Sequence, residues 1–308
     1  MRVHLLITNN ESTIKRTLES LLPLECEIVV GNIGSRDKTA HICQEYGAKV
    51  IHTSRTANLA KIRNSLLGED WNFYLHPWEI LAGGHEIIRA VDEGSAYHIP
   101  IYKNNIVTYE IRLCRECRFK NPIYETVDSQ SEEVIAESAI YATLAPYYFE
   151  NTLAKTKKWS GQSISLEASY YQAFALLEER NIKEFATLSE HYLSLDSHSI
   201  SATMLRYYLA QAQLYAIGDI SKAVRNTLTC IITKPLMAEF WCLLGDIYYK
   251  QKRYKKAKSF YETAIFLGRR RLNHDLWPIE LDKYENHPKK MISNIQRISD
   301  VRMFGPTT

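Results

Sequence analysis

The sequence is poor in the features that mark membrane, secreted or fibrous proteins. No window approaches 18 consecutive apolar residues, so no membrane-spanning helix is expected. The opening MRVHLLITNNE has one arginine and an apolar run that ends at Thr8, too short for a signal peptide. Six cysteines in 308 residues are too sparse for a disulfide framework, and a reducing, cytoplasmic setting is the expectation. Glycine and proline, at 12 and 9, exclude a collagen-like or low-complexity chain. There is no GxxxxGK[ST] loop and no GxGxxG turn, so neither a P-loop nor a dinucleotide fingerprint is present.

What is present divides in two. A chain of this length has room for about two domains of ~150 residues, each with its own core. Residues 1–150 carry 15 Lys+Arg against 20 Asp+Glu, whereas residues 151–308 carry 23 against 15. This asymmetry sets a domain boundary near 150 and gives the second half the field to attract an acidic partner. The expected domains are therefore 1–150, then 151–272, then a C-terminal loop and helix over 273–308.

The first half alternates strand and helix patterns. Strands are read at Arg2–Thr8, Glu27–Val30, Ala48–His52 and Trp71–Leu75. Helices are read from the spacing of Ile14, Leu18, Leu21 and Leu22, at Lys38–Tyr46 with Gly47 as C-cap, and at Ala57–Leu67. Asn10 or Ser12 is the expected cap of the first helix. Such alternation with short links predicts an α/β fold with a mostly parallel sheet and right-handed crossovers. Ligands bind such sheets beyond the C-terminal strand ends. Here these are Thr8-Asn9-Asn10, Gly31-Asn32-Ile33-Gly34, the stretch after His52, and His76-Pro77-Trp78-Glu79.

The run IVVGNIGSRDKTAHICQEYGAKVIHTSRTANLAKIRNSLL…WNFYLHPWE resembles the N-terminal half of inverting, GT-A-fold glycosyltransferases of family two. In particular it is similar to a bacterial and phage branch that carries C-terminal TPR repeats. Gly34, Ser35, Asp37 and Thr39 match the family's first turn, and Asn58 with Arg63-Asn64 match its NFxxARN element. Arg112, Leu113, Phe119, Glu125 and Val127 match a later RLFR…FxGxxHExV segment. The resemblance covers about residues 2–127.

It implies a nucleotide-sugar donor and displacement at the sugar C1. The leaving nucleoside diphosphate develops negative charge that a cation would stabilise. The family supplies Mg²⁺ or Mn²⁺, held by a DxD after the fourth strand, because hard cations want carboxylate oxygens. Here both aspartates are replaced, by His76 and Trp78, and only Glu79 keeps a carboxylate. The family's later His is Tyr124, beside Glu125, and the Asp expected on the base or ribose is Asn32. By resemblance, Thr8, Asn10, Asn32, Gly34, Asp37, Arg63, His76 and Trp78 line the donor site. Glu79 or Glu125 would be the general base for an acceptor hydroxyl. No metal ligand set is assigned, and the replacements fit either metal-independent transfer, with His76, Arg63 or another cation in the metal's stead, or a scaffold without transfer.

Each residue also has a plainer reading. Trp78 fits packing or base stacking, His76 an ordinary loop position, Arg63 a surface pair with Glu69, and Asp37 a helix N-cap. Cys114-Arg115-Glu116-Cys117 is a lone CxxC. A zinc site needs four ligands, so two reduced thiols near a strand are expected.

From about Ser165 the pattern is helical. Trp241, Leu244, Gly245, Tyr248, Ala257, Tyr261 and Ala264 sit at TPR spacing within Ala238–Arg271. A shift of 34 residues back places Tyr207, Ala210, Leu214, Ala223 and Pro235 in the matching positions. Ile182, Ile220 and Tyr254 start the second helices of three successive units, the first of them degenerate. Stacked helix pairs complete a core that none buries alone, and small residues such as Gly245, Ala257 and Ala264 permit close contact. A last helix is expected near Pro288–Ile298, and FGPTT should be loose. Lys252, Arg253, Lys255, Lys256, Lys258 and Arg269-Arg270-Arg271 read as a solvated face, the alternative being an acidic partner such as nucleic acid.

Three functions follow. One is a glycosyltransferase-like protein whose TPR half shapes or recruits the acceptor. Another is a non-catalytic assembly protein working through its TPR surface. The third is a transferase acting on modified DNA bases, resting on the basic second half alone.

Overall fold

The computed structural model describes residues 1–53, 58–121, 126–129, 133–135, 138–142, 165–271 and 276–303. Glu125, Tyr124, the boundary expected near 150 and the tail FGPTT lie outside these residues. The chain divides into two compact units, Met1–Asn151 with Leu276–Ile279, and Thr152–Asp275 with Glu280–Thr308.

In the first unit the elements run β1 (Arg2–Ile7), α1 (Ile14–Leu21), β2 (Glu27–Asn32), α2 (Thr39–Glu45), β3 (Lys49–His52), α3 (Leu59–Leu66) and β4 (Asn72–Leu75). Then come β5 (Glu79–Ala82), α4 (His85–Ala90), β6 (Ala96–Lys103), β7 (Ile106–Cys114), β8 (Phe119–Lys120), β9 (Thr126–Val127) and β10 (Ala139–Ala142). The main sheet has the order β3-β2-β1-β4-β7-β6-β10-β5, while β8 and β9 form a separate pair. The first four strands are parallel, and the antiparallel β4–β7 pairing begins the mixed part.

These elements form where the apolar periods put them. Every residue of β1 from Val3 to Ile7 is buried, as befits a central strand covered on both faces. Helix α1 buries Ile14, Thr17, Leu18 and Leu21, one face at helical spacing. Pro23 follows it in a short 3₁₀ turn, Leu22–Leu24. Gly47 takes φ 75° at the end of α2, where its N–H meets Gln44 O and the Ala48 N–H meets Cys43 O, the left-handed close expected of a glycine there.

The second unit is a stack of helix pairs: α5 (Leu166–Glu178) with α6 (Ile182–Leu195), α7 (Ile200–Ala212) with α8 (Ile220–Thr233), and α9 (Ala238–Lys250) with α10 (Tyr254–Gly268). A last helix, α11, spans Asn286–Met303, longer at both ends than its apolar pattern indicates. Within each pair the turn contains one left-handed residue, Arg180, Gly218 or Lys252. Ser165, Asn181, Ser199 and Asp219 cap the helices that follow them by accepting a backbone N–H three residues on. A Cβ on Gly245 would lie 2.6 Å from Tyr261 Cε1, so this glycine sets how closely α9 and α10 approach. Among the described residues no helix is long and apolar enough to cross a membrane.

Candidate functional site

Parallel pairing brings the C-terminal ends of four strands to one edge of the sheet. Ile7 lies opposite Asn32, Asn32 opposite His52, and Leu5 opposite Leu75. Thr8, Asn10, Asn32, Gly34, Asp37, His76, Trp78 and Glu79 all follow from these ends, so the fold groups them as the topology implies.

Two loops at this edge are tied to each other. Asn9, at φ 50°, accepts from Arg36 N (2.8 Å) through Oδ1. Thr39 Oγ1 accepts from Asn10 N (2.7 Å), and Asp37 Oδ2 accepts from Glu11 N (3.1 Å). Asp37 Oδ1 accepts from both the N–H and the hydroxyl of Thr39. Burial pushes the Asp37 carboxyl up, but the Thr39 hydroxyl and N–H and the Glu11 N–H outweigh it and hold the group below the usual carboxylate range. Gly34, at φ 75°, supplies the reversal between these contacts. Asn10 does not cap α1 with its side chain. Its Oδ1 turns back to accept from Thr8 N (2.7 Å), and its carbonyl accepts from Thr13 N and Ile14 N. Asn32 is buried, accepts from Ser35 N (2.8 Å) and places its amide 3.3 Å from His52 Nδ1. Its side chain therefore shapes the β2–α2 loop.

The end of β4 is built differently. Glu79 is 3% exposed and Arg112, from β7, is 1% exposed. Arg112 donates to Glu79 Oε1 at 2.7 Å and to Oε2 at 3.0 Å, a bidentate clamp, and His76 N donates to the same Oε2 at 2.7 Å. Glu110 supports the guanidinium at 3.1 Å. Burial acts to lower the Arg112 pKa, but Glu79 and Glu110 overcome it and keep the group firmly charged. Both oxygens of Glu79 are thus engaged in closing the β4–β5 turn, which counts against Glu79 as a proton acceptor. The His76 ring stacks on Trp78, centroids 4.8 Å apart and planes within 4°. Burial, then Arg112, then Arg63 hold His76 well below its ordinary value, so the imidazole is neutral and does not replace a metal's charge.

Arg63 is fully buried, not paired at the surface with Glu69, which is exposed. Its guanidinium lies over the Tyr74 ring at 4.8 Å and 3.5 Å from both His4 Nδ1 and His76 Nδ1. Burial, Arg63 and Arg2 push His4 well down, and its Nε2 has no hydrogen-bond partner among the described residues. Arg63 is thus buried at this edge, beside His76. Its neighbour Asn64 donates to Phe119 O (2.8 Å) and accepts from Phe119 N (2.7 Å), so two resemblance positions 55 residues apart are each other's partners. Asn58 caps α3 by accepting from Lys61 N.

Mg²⁺ or Mn²⁺ does not fit this edge. Where the family's carboxylates stand there are an imidazole and an indole stacked on each other, and the remaining carboxylate is clamped by a guanidinium. Among the described residues no three His, Cys, Asp or Glu side chains are gathered as a metal site. The CxxC expectation of reduced thiols is overturned: Cys114 and Cys117 are joined in a disulfide, with Arg115 and the left-handed Glu116 between them. Sequence reasoning missed the Glu79–Arg112 pair and His4. No local pattern marks the first, because its partners lie 33 residues apart.

Residues 3–68 match the model of the glycosyl transferase family 2 domain, and residues 238–265 match a tetratricopeptide repeat model. The chain joins a family 2 glycosyltransferase-like domain to TPR-type repeats. The first match ends before His76, so it covers the tied loops and not the altered β4 end. A TPR repeat-containing protein of Synechococcus elongatus is 27% identical over 138 residues, 40% of this chain and 34% of that protein. The match thus spans about a third of the relative's length. Among solved structures, the chain is similar to the Sgt2 TPR domain of Aspergillus fumigatus (TM-score 0.37, 18% identity, covering 46% of this chain and 85% of that one). It is similar also to the type III secretion chaperone SycD of Yersinia enterocolitica in complex with a YopD peptide (0.38, 15%, 44% and 96%).

Proposed function

We propose that the N-terminal half binds a nucleotide-activated sugar at the edge formed by the ends of β1, β2 and β4, and transfers the sugar without a DxD-held metal. The repeat half brings the acceptor, a protein partner in this reading. The tied loops of β1 and β2 carry this proposal, because their side chains hold one loop against the other in the segment that matches the family model. In this reading Trp78, stacked on His76, borders the site, and the exposed Arg36 and Lys38 of the rim offset the charge of the leaving diphosphate. Arg112 and the His76 N–H engage Glu79, so this reading takes Glu125, assigned by resemblance alone, as the base for the acceptor proton.

Thermal-shift measurements against UDP-, GDP-, CMP- and TDP-sugars, with and without Mn²⁺, test this. The expected result is stabilisation by one donor that Mn²⁺ leaves unchanged and Arg36→Ala with Lys38→Ala reduces. Stabilisation only with Mn²⁺ would refute the metal-free site. No stabilisation by any donor would favour a second reading, an assembly protein acting through its repeats, which the clamp on Glu79 supports.

A further inference from the structure

The turn between the two helices of the last repeat departs from the same turn one repeat earlier. The 34-residue register sets Gly218, Asp219, Ser221 and Lys222 against Lys252, Arg253, Lys255 and Lys256. A set with no net charge becomes four cations. Asp219 caps α8 by accepting from Lys222 N (2.9 Å), whereas Arg253, in the same place before α10, makes no side-chain cap bond. Lys252 takes φ 60°, a left-handed conformation that the earlier turn gives to Gly218 at φ 84°. Lys255 and Lys256 lie in the first turn of α10, which holds no acidic residue, so the helix macrodipole opposes both. Cap, turn and dipole each favour the earlier residues, so local stability does not explain the cations.

Nor do counter-charges within the protein explain them. Residues 247–261 hold six Lys and Arg and no Asp or Glu. Lys258 pairs with Glu262 at 3.8 Å, but among the described residues Lys252, Arg253, Lys255 and Lys256, all exposed, form no ion pair. One repeat earlier, Lys222 has Glu190 at 2.8 Å. The Tyr248 ring gathers two of the four cations, with the Arg253 guanidinium 5.5 Å and the Lys256 ammonium 5.7 Å from its centre. The exposed large apolar side chains nearest in sequence, Leu236 and Phe266, lie outside this stretch. A protein partner would be met by an apolar centre with a polar rim. A dense cationic patch without that centre suits the phosphate backbone of a nucleic acid, whose interfaces are polar and strongly positive.

We propose that Lys252, Arg253, Lys255 and Lys256 bind the phosphodiester backbone of a nucleic acid without regard to its sequence. This goes beyond the sugar-transfer reading and stands without it. The contact is ionic: each cation that neutralises a phosphate releases a condensed counterion, so affinity falls steeply as salt rises.

Fluorescence anisotropy of a short, mixed-sequence DNA duplex titrated with the full chain tests this. Four neutralised phosphates predict a loss of affinity on the order of a hundredfold between about 50 and 200 mM salt. A variant carrying the earlier repeat's residues, Lys252→Gly with Arg253→Asp and Lys255→Ser, removes three of the cations and restores the cap. It is expected to bind at least tenfold more weakly at the lower salt and to lose only about fourfold across the same range. Amide exchange in α10 should be no faster in it, which separates lost charge from lost fold. Lys255→Gln with Lys256→Gln, which leaves the turn residues in place, should show the same weakening in smaller measure. No binding by the unmodified chain, binding indifferent to salt, or undiminished binding by both variants would each overturn the proposal. Equal affinity for poly-glutamate would overturn it too, and make the patch a site for acidic protein.

Discussion

Glu79→Gln separates a clamp from a catalytic base. Glutamine keeps the shape of the side chain but removes the charge facing Arg112. In the native protein that guanidinium is 1% exposed and receives both Glu79 oxygens, at 2.7 and 3.0 Å. Breaking a buried ion pair by removing one partner costs about 3–5 kcal/mol, because the other charge is left uncompensated. Glu110, half-exposed and 3.1 Å from the guanidinium, retains part of the compensation, so the lower end, ~3 kcal/mol, applies. Glutamine also leaves only one acceptor for the His76 N–H and Arg112 together, which adds to the loss.

A two-unit chain need not unfold in one step, so a single melting temperature would blur this effect. Amide exchange of β1 and β4 reports the N-terminal unit alone. A loss of ~3 kcal/mol there speeds the slowest exchange by on the order of a hundredfold, at 1.4 kcal/mol per factor of ten. Adding Arg112→Met to Glu79→Gln should restore part of the protection, since the stranded charge is then gone. Exchange within about threefold of wild type in Glu79→Gln, accompanied by loss of sugar transfer, would refute the clamp and return Glu79 to the reaction.

Two sets of buried groups should respond to pH in opposite directions. His4 and His76 are held well below their ordinary values, chiefly by burial, so protonation favours the unfolded chain and the N-terminal unit loses stability as pH falls below about 6.5. Burial raises Glu239 to about 7 despite Arg271 and Tyr284, so its contribution is full below about 4.5 and is lost as pH climbs through 7. Exchange protection of β1 and of α9 against pH checks both trends, and Glu239→Gln should flatten the second. Gly245→Ala forces a methyl to within 2.6 Å of the Tyr261 ring and should cost about 1–3 kcal/mol, read as faster exchange in α9 and α10. Thiol labelling of the unfolded chain should find four cysteines before reduction of Cys114–Cys117 and six after it.

The repeats were legible because their register is local. A period of 34 residues fixes Trp241, Gly245 and Tyr261 together, and the second helices begin at Ile182, Ile220 and Tyr254, the last two one period apart. The first four strands were legible for a similar reason, since a short apolar run between turns has few other fates. What stayed hidden depends on pairs far apart in sequence. Nothing near Glu79 announces Arg112, 33 residues on, and nothing near Glu239 announces Tyr284, 45 residues on. Such partners are set by strand order and helix packing, which periodicity does not specify. The same gap limits what residue identity says of the site. Residue identity marked His76 and Arg63 as cations that could serve in a metal's place. Their surroundings modify that reading: His76 is held below its ordinary value, and the Arg63 guanidinium is buried over the Tyr74 ring, whereas Arg36 and Lys38 are exposed charges on the rim. A family's loss of its metal ligands is therefore not answered by the nearest cation in sequence. In the proposed reading it is answered by charges that solvent and a diphosphate can both reach, Arg36 and Lys38.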